Sequence, residues 1–260
     1  MAPKTEPRDS LESLRTLLVE HNLTTIAKRL GDLLSEAETA RYGYSEFLRR
    51  VLETEQEIRR ERSVLRRTRW SRLGAYVSLD KFDFSIRPQL SAQVAKELLT
   101  CRFIQERRNV VLVGRPSTGK TTVAKAIGHA ACRLGFPVYY IALGEMLEQL
   151  HASRADGTYR KAFRRLERPA LLILEDCGFN TSLGHEAANE LFRVVSARYQ
   201  ERSTLVVTNL GFPKWGEFLP SPTQAIAIAE RLVDKATILR FSGKPCRGPK
   251  DVYGAPLDGE

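Results

Sequence analysis

The sequence predicts an α/β fold: a five-stranded parallel sheet flanked by helices, preceded by a small all-α region. Three observations support this prediction. After Phe82, five short runs rich in Val, Ile and Leu alternate with longer amphipathic segments. Runs that are apolar on both faces are typical of buried parallel strands joined by crossover helices. A glycine-rich loop follows the first run directly, and residues 9–72 contain no strand pattern.

The N-terminal part shows helical periodicity in three stretches. After a polar lead-in, residues 1–8, which we expect to be disordered, apolar side chains recur at helical spacing in residues 11–18, 26–34 and 44–52. Stripes of this kind are typical of packing between helices. We therefore expect a helical domain over residues 9–75.

The five apolar runs define the strands of the second domain. They cover residues 110–113, 138–142, 170–174, 205–208 and 237–241. With helices between them, they predict a doubly wound domain over residues 76–242. The tail, residues 243–260, holds four glycines and three prolines, so we expect it to be flexible.

The overall charge narrows the class of partner. The 260 residues include 41 Lys and Arg against 31 Asp and Glu, a net charge of +10. Such a surplus favours nucleic acid or an anionic membrane surface. No apolar run reaches the ~18 residues of a membrane span, and the N-terminus lacks the apolar segment of a signal peptide. The four cysteines are too dispersed for a disulfide framework or a zinc site, which suits a cytoplasmic protein.

The clearest functional motif is GRPSTGKT, residues 114–121, between the first strand and a helix. Its glycines let backbone N–H groups turn toward phosphates, and the helix N-terminus adds positive potential. We expect Lys120 to lie between the β- and γ-phosphates of ATP and Thr121 to offer its hydroxyl to Mg²⁺. The predicted nucleotide-binding residues are Gly114, Pro116, Ser117, Thr118, Gly119, Lys120, Thr121 and Thr122.

Further polar residues follow later strands. Glu175 and Asp176 come after the third run, where one carboxylate would hold Mg²⁺ with Thr121 and the other would polarise the attacking water. The usual order is Asp first, so Glu175 leaves the hydrolysis rate open. Asn209 ends the fourth strand and is placed to reach the γ-phosphate, although asparagine is also a common turn residue. Arg231 precedes the last strand and is a candidate finger for a neighbouring subunit's ATP, or else a solvated helix charge.

A basic segment spans residues 59–72, with seven arginines and one glutamate. Guanidinium groups fork onto phosphates, so we expect these residues to bind the backbone of duplex DNA without sequence choice. The alternative is a solvated helix face paired with upstream glutamates. Trp70, within the segment, is placed to pack against nucleic acid. The predicted DNA-binding residues are Arg59, Arg60, Arg62, Arg66, Arg67, Arg69 and Arg72.

A second basic patch precedes the third strand. Lys161, Arg164, Arg165 and Arg168 share a face at helical spacing, and Arg160 adjoins them. The patch is a candidate contact for DNA or for a neighbouring subunit's nucleotide. A plain surface patch is the alternative.

Several stretches together resemble a known family. They are DKFDFS (80–85), GRPSTGKTT (114–122), the acids before Gly178, RYQERST (198–204), VVTNLGFPKWGEF (206–218) and AIAERLVDKATILRF (227–241). Over residues 10–242 the chain is similar to the IstB-like transposition helper ATPases, relatives of the DnaC-type helicase loaders in the AAA+ class. The Trp215-Gly216-Glu217 block is the most family-specific of these features.

The resemblance implies a bacterial, ATP-dependent homo-oligomer with a P-loop AAA+ domain. It also implies binding and remodelling of duplex DNA, partly through the helical domain, and recruitment or activation of a partner transposase. By the same resemblance, Glu175 and Asp176 are the metal and catalytic acids, Asn209 the sensor and Arg231 the finger. Glu175 replaces the family's usual Asp, and GKPCR (243–247) departs from the family's G-x-S-Y-R. We expect no C-terminal helical lid after the last strand, which agrees with the resemblance.

Two other functions stay open from the sequence. A DnaC-like helicase loader would act on single-stranded DNA. An ATP-gated clamp would bind nucleotide with negligible turnover, consistent with the inverted order of Glu175 and Asp176. A small-molecule kinase would share the phosphate loop but would give no reason for the arginine segment.

Overall fold

The computed structural model describes residues 7–80, 82, 92–178 and 183–242. The chain forms two compact units, which divide after Leu65. Several sequence expectations lie outside the described residues: most of the lead-in, the tail with its GKPCR segment, and all of DKFDFS except Asp80 and Phe82. The domain boundary at residues 75 and 76 stays a prediction.

The first unit is helical, as expected. Its helices are α1 (Pro7–Glu20), α2 (Thr24–Ala40) and α3 (Tyr44–Ser71), the last of which ends within the second unit. Ile26, Leu30 and Leu33 on α2 are buried at i, i+4 and i+7, the spacing that places them on one helix face. The buried carboxylate of Glu55 accepts a hydrogen bond from the Ile26 amide at 3.3 Å, which satisfies one donor in the first turn of α2.

The second unit alternates strands and helices. Its strands are β1 (Val110–Gly114), β2 (Val138–Ala142), β3 (Leu171–Cys177), β4 (Ser203–Thr208) and β5 (Thr237–Phe241). Its helices are α4 (Ala92–Leu99), α5 (Arg102–Gln105), α6 (Lys120–Arg133), α7 (Leu143–Ala155), α8 (Tyr159–Glu167), α9 (His185–Arg198), α10 (Trp215–Phe218) and α11 (Pro222–Val233).

The five strands form one parallel sheet in the order β2-β3-β4-β1-β5, which confirms the predicted fold class. All strands point the same way, so the ends of β1, β3 and β4 meet at one edge. That edge includes the place where the strand order reverses, the usual position of ligands in open parallel sheets.

The sheet is buried on both faces, which explains why its strands are apolar throughout. Along β3, Leu171 and Ile173 face a core with α4 and α6, whereas Leu172 and Leu174 face a core with α7, α9 and α11. The two helical layers therefore hold the strand ends from both sides.

A buried arginine links the opposite, amino-terminal ends of the strands. Arg198, only 1% exposed, donates hydrogen bonds to the carbonyls of Leu166, Pro169 and Ser203 at 2.5–3.0 Å. It thereby joins the last helical turn of α8 to the starts of β3 and β4. Burial lowers the pKa of its guanidinium, and carbonyl oxygens rather than a carboxylate compensate for its desolvation.

Candidate nucleotide-binding site

The phosphate loop is a tight turn between β1 and α6. Ser117 and Gly119 have φ angles of +59° and +91°, and α6 begins at Lys120. Backbone in this region favours glycine, and turns of this kind direct successive N–H groups to one side. The first N–H groups of α6 have no partner within the helix. The loop can therefore offer several donors to an anion.

A close backbone contact fixes the start of the loop. Gly114 pairs with Phe241 of β5, and a Cβ atom on Gly114 would lie 2.1 Å from the Phe241 carbonyl oxygen. Only glycine fits there without moving β5. The Thr118 hydroxyl, buried, donates to the Arg115 carbonyl at 2.8 Å and braces the loop internally. Pro116 and Ser117 are exposed at the tip, and Thr122 lies half-buried on α6.

The ammonium group of Lys120 is held inside the loop. Its Nζ atom donates to the carbonyls of Gly114 and Arg115, each at 2.7 Å, and the residue is 5% exposed. Burial lowers the pKa of Lys120, and the carboxylates of Glu175 and Asp176 oppose that shift. The loop thus contains a buried cation satisfied by neutral carbonyls, an arrangement that an anionic ligand would stabilise further.

Thr121 and Glu175 are brought together across two elements. The Thr121 hydroxyl, at the start of α6, donates to Oε1 of Glu175 on β3 at 2.5 Å. Glu175 is only 4% exposed, and among the described residues no donor meets hydrogen-bond geometry at its Oε2 atom. Burial raises the pKa of Glu175, the Thr121 hydrogen bond opposes this, and the Asp176 carboxylate adds to it. The Tyr140 hydroxyl also interacts with the carboxylate and lowers its pKa. The longer side chain of Glu175 extends from β3 to the Thr121 hydroxyl on α6.

Asp176 stands on an irregularity at the end of β3. The register between β3 and β4 shifts between Leu174 and Cys177, and Asp176 has a φ of +58°. A bulge of this type re-aims a side chain at a strand end. Asp176 is exposed whereas both neighbours are buried, so the bulge turns Glu175 inward and Asp176 outward.

Asn209 follows β4, the strand between β3 and β1. The Thr208 hydroxyl donates to the Cys177 carbonyl at 2.6 Å and accepts from the Leu210 amide at 3.0 Å. These bonds tie the turn that carries Asn209 to the end of β3. The topology therefore places Asn209 at the strand edge between the phosphate loop and the acids.

Trp215 of the Trp-Gly-Glu block packs beneath this turn and supports it. Trp215 is 1% exposed, and its Nε1 donates to the Leu210 carbonyl at 3.4 Å. The sequence pattern did not reveal this supporting role, nor that of Arg198. A single buried tryptophan or arginine has no periodicity that would indicate what it contacts.

Arg231 lies in the last turn of α11. Its guanidinium stacks over the rings of Phe192 and Tyr199, with centroid distances of 4.9 and 5.9 Å. Its Nη1 atom donates to the Ala227 carbonyl at 2.7 Å. Within this chain the predicted finger is therefore directed to the surface of α9 and held there by cation–π contacts.

The oxygen donors at the site suit a magnesium ion. Mg²⁺ prefers hydroxyl, carboxylate and phosphate oxygens and usually binds with few protein ligands. Thr121 and the unpartnered oxygen of Glu175 match that preference. Among the described residues, no cluster of three or more His, Cys, Asp or Glu side chains forms a separate metal site. Phosphate and water oxygens would have to complete the coordination.

The seven arginines of residues 59–72 have different surroundings. Three make hydrogen bonds within the chain: Arg59 to Glu55 and the Asn22 carbonyl, Arg67 to the Cys132 carbonyl, and Arg72 to Glu145 and Tyr139. The other four are exposed and form no ion pair within the described part of the chain; they are Arg60, Arg62, Arg66 and Arg69. Upstream glutamates therefore neutralise little of the segment.

Sequence comparison finds that the chain is similar to ATP-binding proteins of bacterial insertion sequences. The model of the IstB-like ATP-binding protein family matches residues 16–251. An ATP-binding protein of insertion sequence IS5376 from Geobacillus stearothermophilus is 31% identical over 226 residues, covering 87% of this chain and 90% of the relative. One of insertion sequence IS21 from Pseudomonas aeruginosa is 29% identical over 237 residues, covering 91% and 89%.

Solved structures share the fold. AMPPCP-bound DnaA from Aquifex aeolicus superposes with a TM-score of 0.55 at 19% identity, covering 65% of this chain and 51% of the DnaA chain. The crystal structure of DnaI gives 0.54 at 17% identity, covering 66% and 90%. These likenesses identify the second unit as a P-loop AAA+ fold. Across the described residues, none of the helices combines the length and apolar character needed to cross a bilayer.

Proposed function

The chain belongs to the IstB-like ATP-binding protein family, and from that premise we propose that it is a Mg²⁺-dependent ATPase that assists DNA transposition. It assembles as a homo-oligomer on duplex DNA, remodels the duplex, and recruits or activates a partner transposase. The observation that carries the ATPase proposal is the Thr121–Glu175 pair, with its unpartnered buried oxygen, beside the buried Lys120.

The phosphate loop binds the triphosphate of ATP. The backbone N–H groups of the loop and of the first turn of α6 donate to phosphate oxygens. In the structure the Lys120 ammonium donates hydrogen bonds to the carbonyls of Gly114 and Arg115. When ATP binds, it donates to the β- and γ-phosphates instead. Thr121 and Glu175 would hold Mg²⁺, which would supply positive charge to offset the negative charge of phosphoryl transfer.

The strand-end residues act on the attacking water. Asp176, directed outward by the bulge, accepts the proton of the water. Asn209 donates from its amide to the γ-phosphate and helps position the water. Arg231 of one subunit leaves its own aromatic contacts and approaches the ATP of the next subunit, where it stabilises the charge of the transition state. Hydrolysis resets the assembly.

The duplex-DNA part of the proposal depends on charge and on the relatives. The named relatives are ATP-binding proteins of insertion sequences. The exposed arginines of α3 provide cations for the DNA backbone, without the base-reading contacts that would select a sequence. The partner transposase would be the one encoded by the same type of element.

A combined binding and turnover experiment tests the function. Labelled 60-bp duplex and the matching single strand are titrated with protein and Mg²⁺, with ATP, a non-hydrolysable analogue or ADP. We expect ATP-dependent, duplex-preferring binding and phosphate release that EDTA abolishes. Preference for the single strand would support a helicase loader instead. DNA binding and particle size that do not respond to ATP would refute the proposal.

Glu175 provides a matched pair of variants for the metal assignment. Glu175→Asp restores the commoner residue but shortens the side chain that reaches Thr121, and Glu175→Gln keeps the length but removes the charge. We expect both to raise the Mg²⁺ concentration needed for half-maximal hydrolysis about 10-fold, by analogy with lost metal-site support. An unchanged Mg²⁺ requirement in both variants would remove Glu175 from the metal site.

A further inference from the structure

A second basic cleft lies within residues 66–260. It has a volume of about 620 Å³ and is lined by two segments far apart in the sequence, the end of α3 and the region of α8. The end of α3 contributes Trp70. The region of α8 contributes five cations: Arg160, Lys161, Arg164, Arg165 and Arg168.

The five cations are not neutralised by the protein. All are exposed, and none forms an ion pair within 4.0 Å in the part of the chain that the structure describes. The spacing also places Arg160 beside Arg164, Lys161 beside Arg165, and Arg164 beside Arg168 on successive turns. Like charges at this spacing destabilise a helix. A helix that keeps such charges together is expected to use them on an anionic ligand.

Contacts on its other face hold α8 in place despite this repulsion. Leu166 is buried, and the Tyr159 hydroxyl donates to the buried Glu190 carboxylate at 2.6 Å. The guanidinium of Arg198 donates to the carbonyls of Leu166 and Glu167 at 2.8 and 2.9 Å, which satisfies the C-terminal end of the helix. The cations therefore project from a fixed support.

Trp70 supplies a flat apolar surface beside these charges. Its ring is 5.3 Å from that of Tyr139, and the residue is 45% exposed. Arg72 donates to the Tyr139 hydroxyl at 3.4 Å and to Glu145 at 2.6 Å, which fixes Tyr139 and the end of α3. An exposed indole among arginines matches sites at which a base stacks while its phosphates are neutralised.

We propose that this cleft binds one strand of DNA, with successive phosphates on the α8 cations and an unstacked base on the Trp70 ring. From Arg160 to Arg168 the helix rises about 12 Å at 1.5 Å per residue. That length corresponds to about three to four nucleotide steps of one strand, at the duplex's axial rise of about 3.4 Å per step. An acidic protein segment would also meet the cations but would make no use of the indole. The proposal rests on DNA being the polyanion of the proposed function.

Bending of a duplex can supply the unstacked base that is proposed to lie on the Trp70 ring. Bent or kinked duplexes partly unstack base steps, at an energy cost that the protein must offset. An aromatic side chain that stacks on the exposed face of such a base lowers that energy cost. The cleft thus favours distorted over regular duplex, a preference that phosphate contacts alone would not create.

Tryptophan fluorescence reports on the cleft directly. The chain has two tryptophans, and Trp215 is buried, so a bound base should quench mainly Trp70. The full-length protein is titrated with a 40-bp duplex carrying one unpaired adenine, with the fully paired duplex, and with poly-glutamate. We expect quenching by the unpaired-base duplex, less by the paired duplex and none by poly-glutamate. Trp70→Phe should abolish the signal. Trp70→Ala, whose binding is followed by the anisotropy of labelled DNA, should reduce the preference for the unpaired base about 10-fold.

Two charge-matched variants test the phosphate contacts. The cleft variant replaces Arg160, Arg164 and Arg165 by Gln, and the control replaces the exposed Lys96, Arg102 and Lys235 by Gln. Both lose three charges. The cleft variant should reduce the slope of log K against log salt by about 2.7, at 0.9 per phosphate, and the control by less than one. Circular dichroism verifies folding of each variant.

The possible outcomes separate this inference from the proposed function. If the wild-type protein binds no DNA at low salt, the proposed function fails and this inference fails with it. If the wild-type protein binds DNA, equal slopes for the two triple variants would overturn the inference alone. Quenching by poly-glutamate as strong as that by the unpaired-base duplex would assign the cleft to an acidic protein segment instead.

Discussion

The carboxyl edge of the sheet and the arginine-rich end of α3 both concentrate charge. The charges of Lys120 and Glu175 at the sheet edge are buried and hydrogen-bonded, whereas most of those on α3 are exposed to solvent. At the sheet edge, Lys120 and Thr121 at the start of α6 lie close to Glu175 near the end of β3. Lys120 and Glu175 are buried, Thr121 is half-buried, and each has a hydrogen-bond partner within the site. On α3, each arginine meets a separate environment, and Arg62, Arg66 and Arg69 remain exposed. A buried, converging set suits one small anion, whereas a dispersed, exposed set suits a long one.

The difference has a physical cause. Burial of Lys120 and Glu175 carries an unfavourable desolvation free energy, so each charged group needs a hydrogen-bond partner. These hydrogen bonds fix the positions of the two side chains. Exposed arginines remain solvated and carry no such requirement. The sheet edge is therefore preorganised for a phosphate group, and the arginine segment supplies affinity without a fixed pose.

The largest expected effect separates the two regions. Lys120→Ala removes the only cation that the phosphate loop buries among the described residues, so we expect ATP binding and ATP-dependent assembly to be lost. Binding of DNA at low salt without nucleotide should change little. Fluorescent-nucleotide titration and mass photometry measure the two properties, with the exposed-lysine variant Lys96→Ala as control. Normal ATP affinity in Lys120→Ala would contradict the site.

Arg231 tests whether the sheet edge is complete in one subunit. If the arginine acts on the neighbouring subunit, Arg231→Ala should bind ATP normally but hydrolyse it about 10³-fold more slowly, the effect typical of arginine fingers. Mixing with Asp176→Asn subunits, which bind ATP and keep Arg231 but lack the general base, should restore activity, because each variant supplies what the other lacks. A normal hydrolysis rate for Arg231→Ala alone would remove the finger assignment. A slow rate that mixing does not restore would also remove it.

Asp176 separates binding from turnover at the same edge. Asparagine tolerates the positive φ of this position, so Asp176→Asn should fold normally. We expect ATP binding to persist and hydrolysis to fall by about 10²-fold or more, the usual contribution of a general base. Single-turnover phosphate release measures the effect. If hydrolysis is already negligible in the wild-type protein, the ATP-gated clamp becomes the better description.

The smallest expected effect divides the arginine segment itself. Replacing the exposed Arg62, Arg66 and Arg69 by Gln should reduce the salt slope of DNA binding by about 2.7. The matched variant replaces Arg59, Arg67 and Arg72, each of which has a hydrogen bond within the chain. That variant should lower the unfolding free energy by about 1.5–4.5 kcal/mol, at roughly 0.5–1.5 kcal/mol for each of the three hydrogen bonds, and should change the slope less.

Salt-dependent titrations and urea unfolding of these two variants provide the comparison. Equal slopes and equal stabilities would mean that the internal hydrogen bonds of Arg59, Arg67 and Arg72 do not decide which arginines reach DNA. The exposed and the hydrogen-bonded arginines would then contribute equally to DNA binding, although the total charge of the segment would still contribute to affinity.

Much of the fold and the phosphate loop could be predicted because they depend on local patterns. Runs such as Val110–Val113 are apolar on both faces, and a loop bounded by Gly114 and Gly119 connects the first run to a helix. The parallel arrangement then brings Glu175 and Asn209 to the edge that holds the loop.

Other features depend on long-range packing and could not be predicted. β3 continues through Glu175 to Cys177, although the charged residues suggested that it ended at Leu174. Glu175 pairs with Ala142 of β2 and Cys177 with Thr208 of β4, and the Glu175 carboxylate accepts a hydrogen bond from Thr121. The bulge at Asp176 has no sequence pattern of its own. The meeting of Trp70 with the cations of α8 likewise depends on the tertiary fold, since about 90 residues of chain separate the two segments.

The central claim is that ATP at the sheet edge controls how the protein assembles on duplex DNA. Electron microscopy of the full chain on a long duplex, with Mg²⁺ and either a non-hydrolysable ATP analogue or ADP, tests it most directly. We predict ordered oligomers of uniform size, with DNA bound along them, in the ATP analogue and only scattered particles with ADP. Identical particles under both conditions, or oligomers that exclude duplex DNA, would contradict the claim.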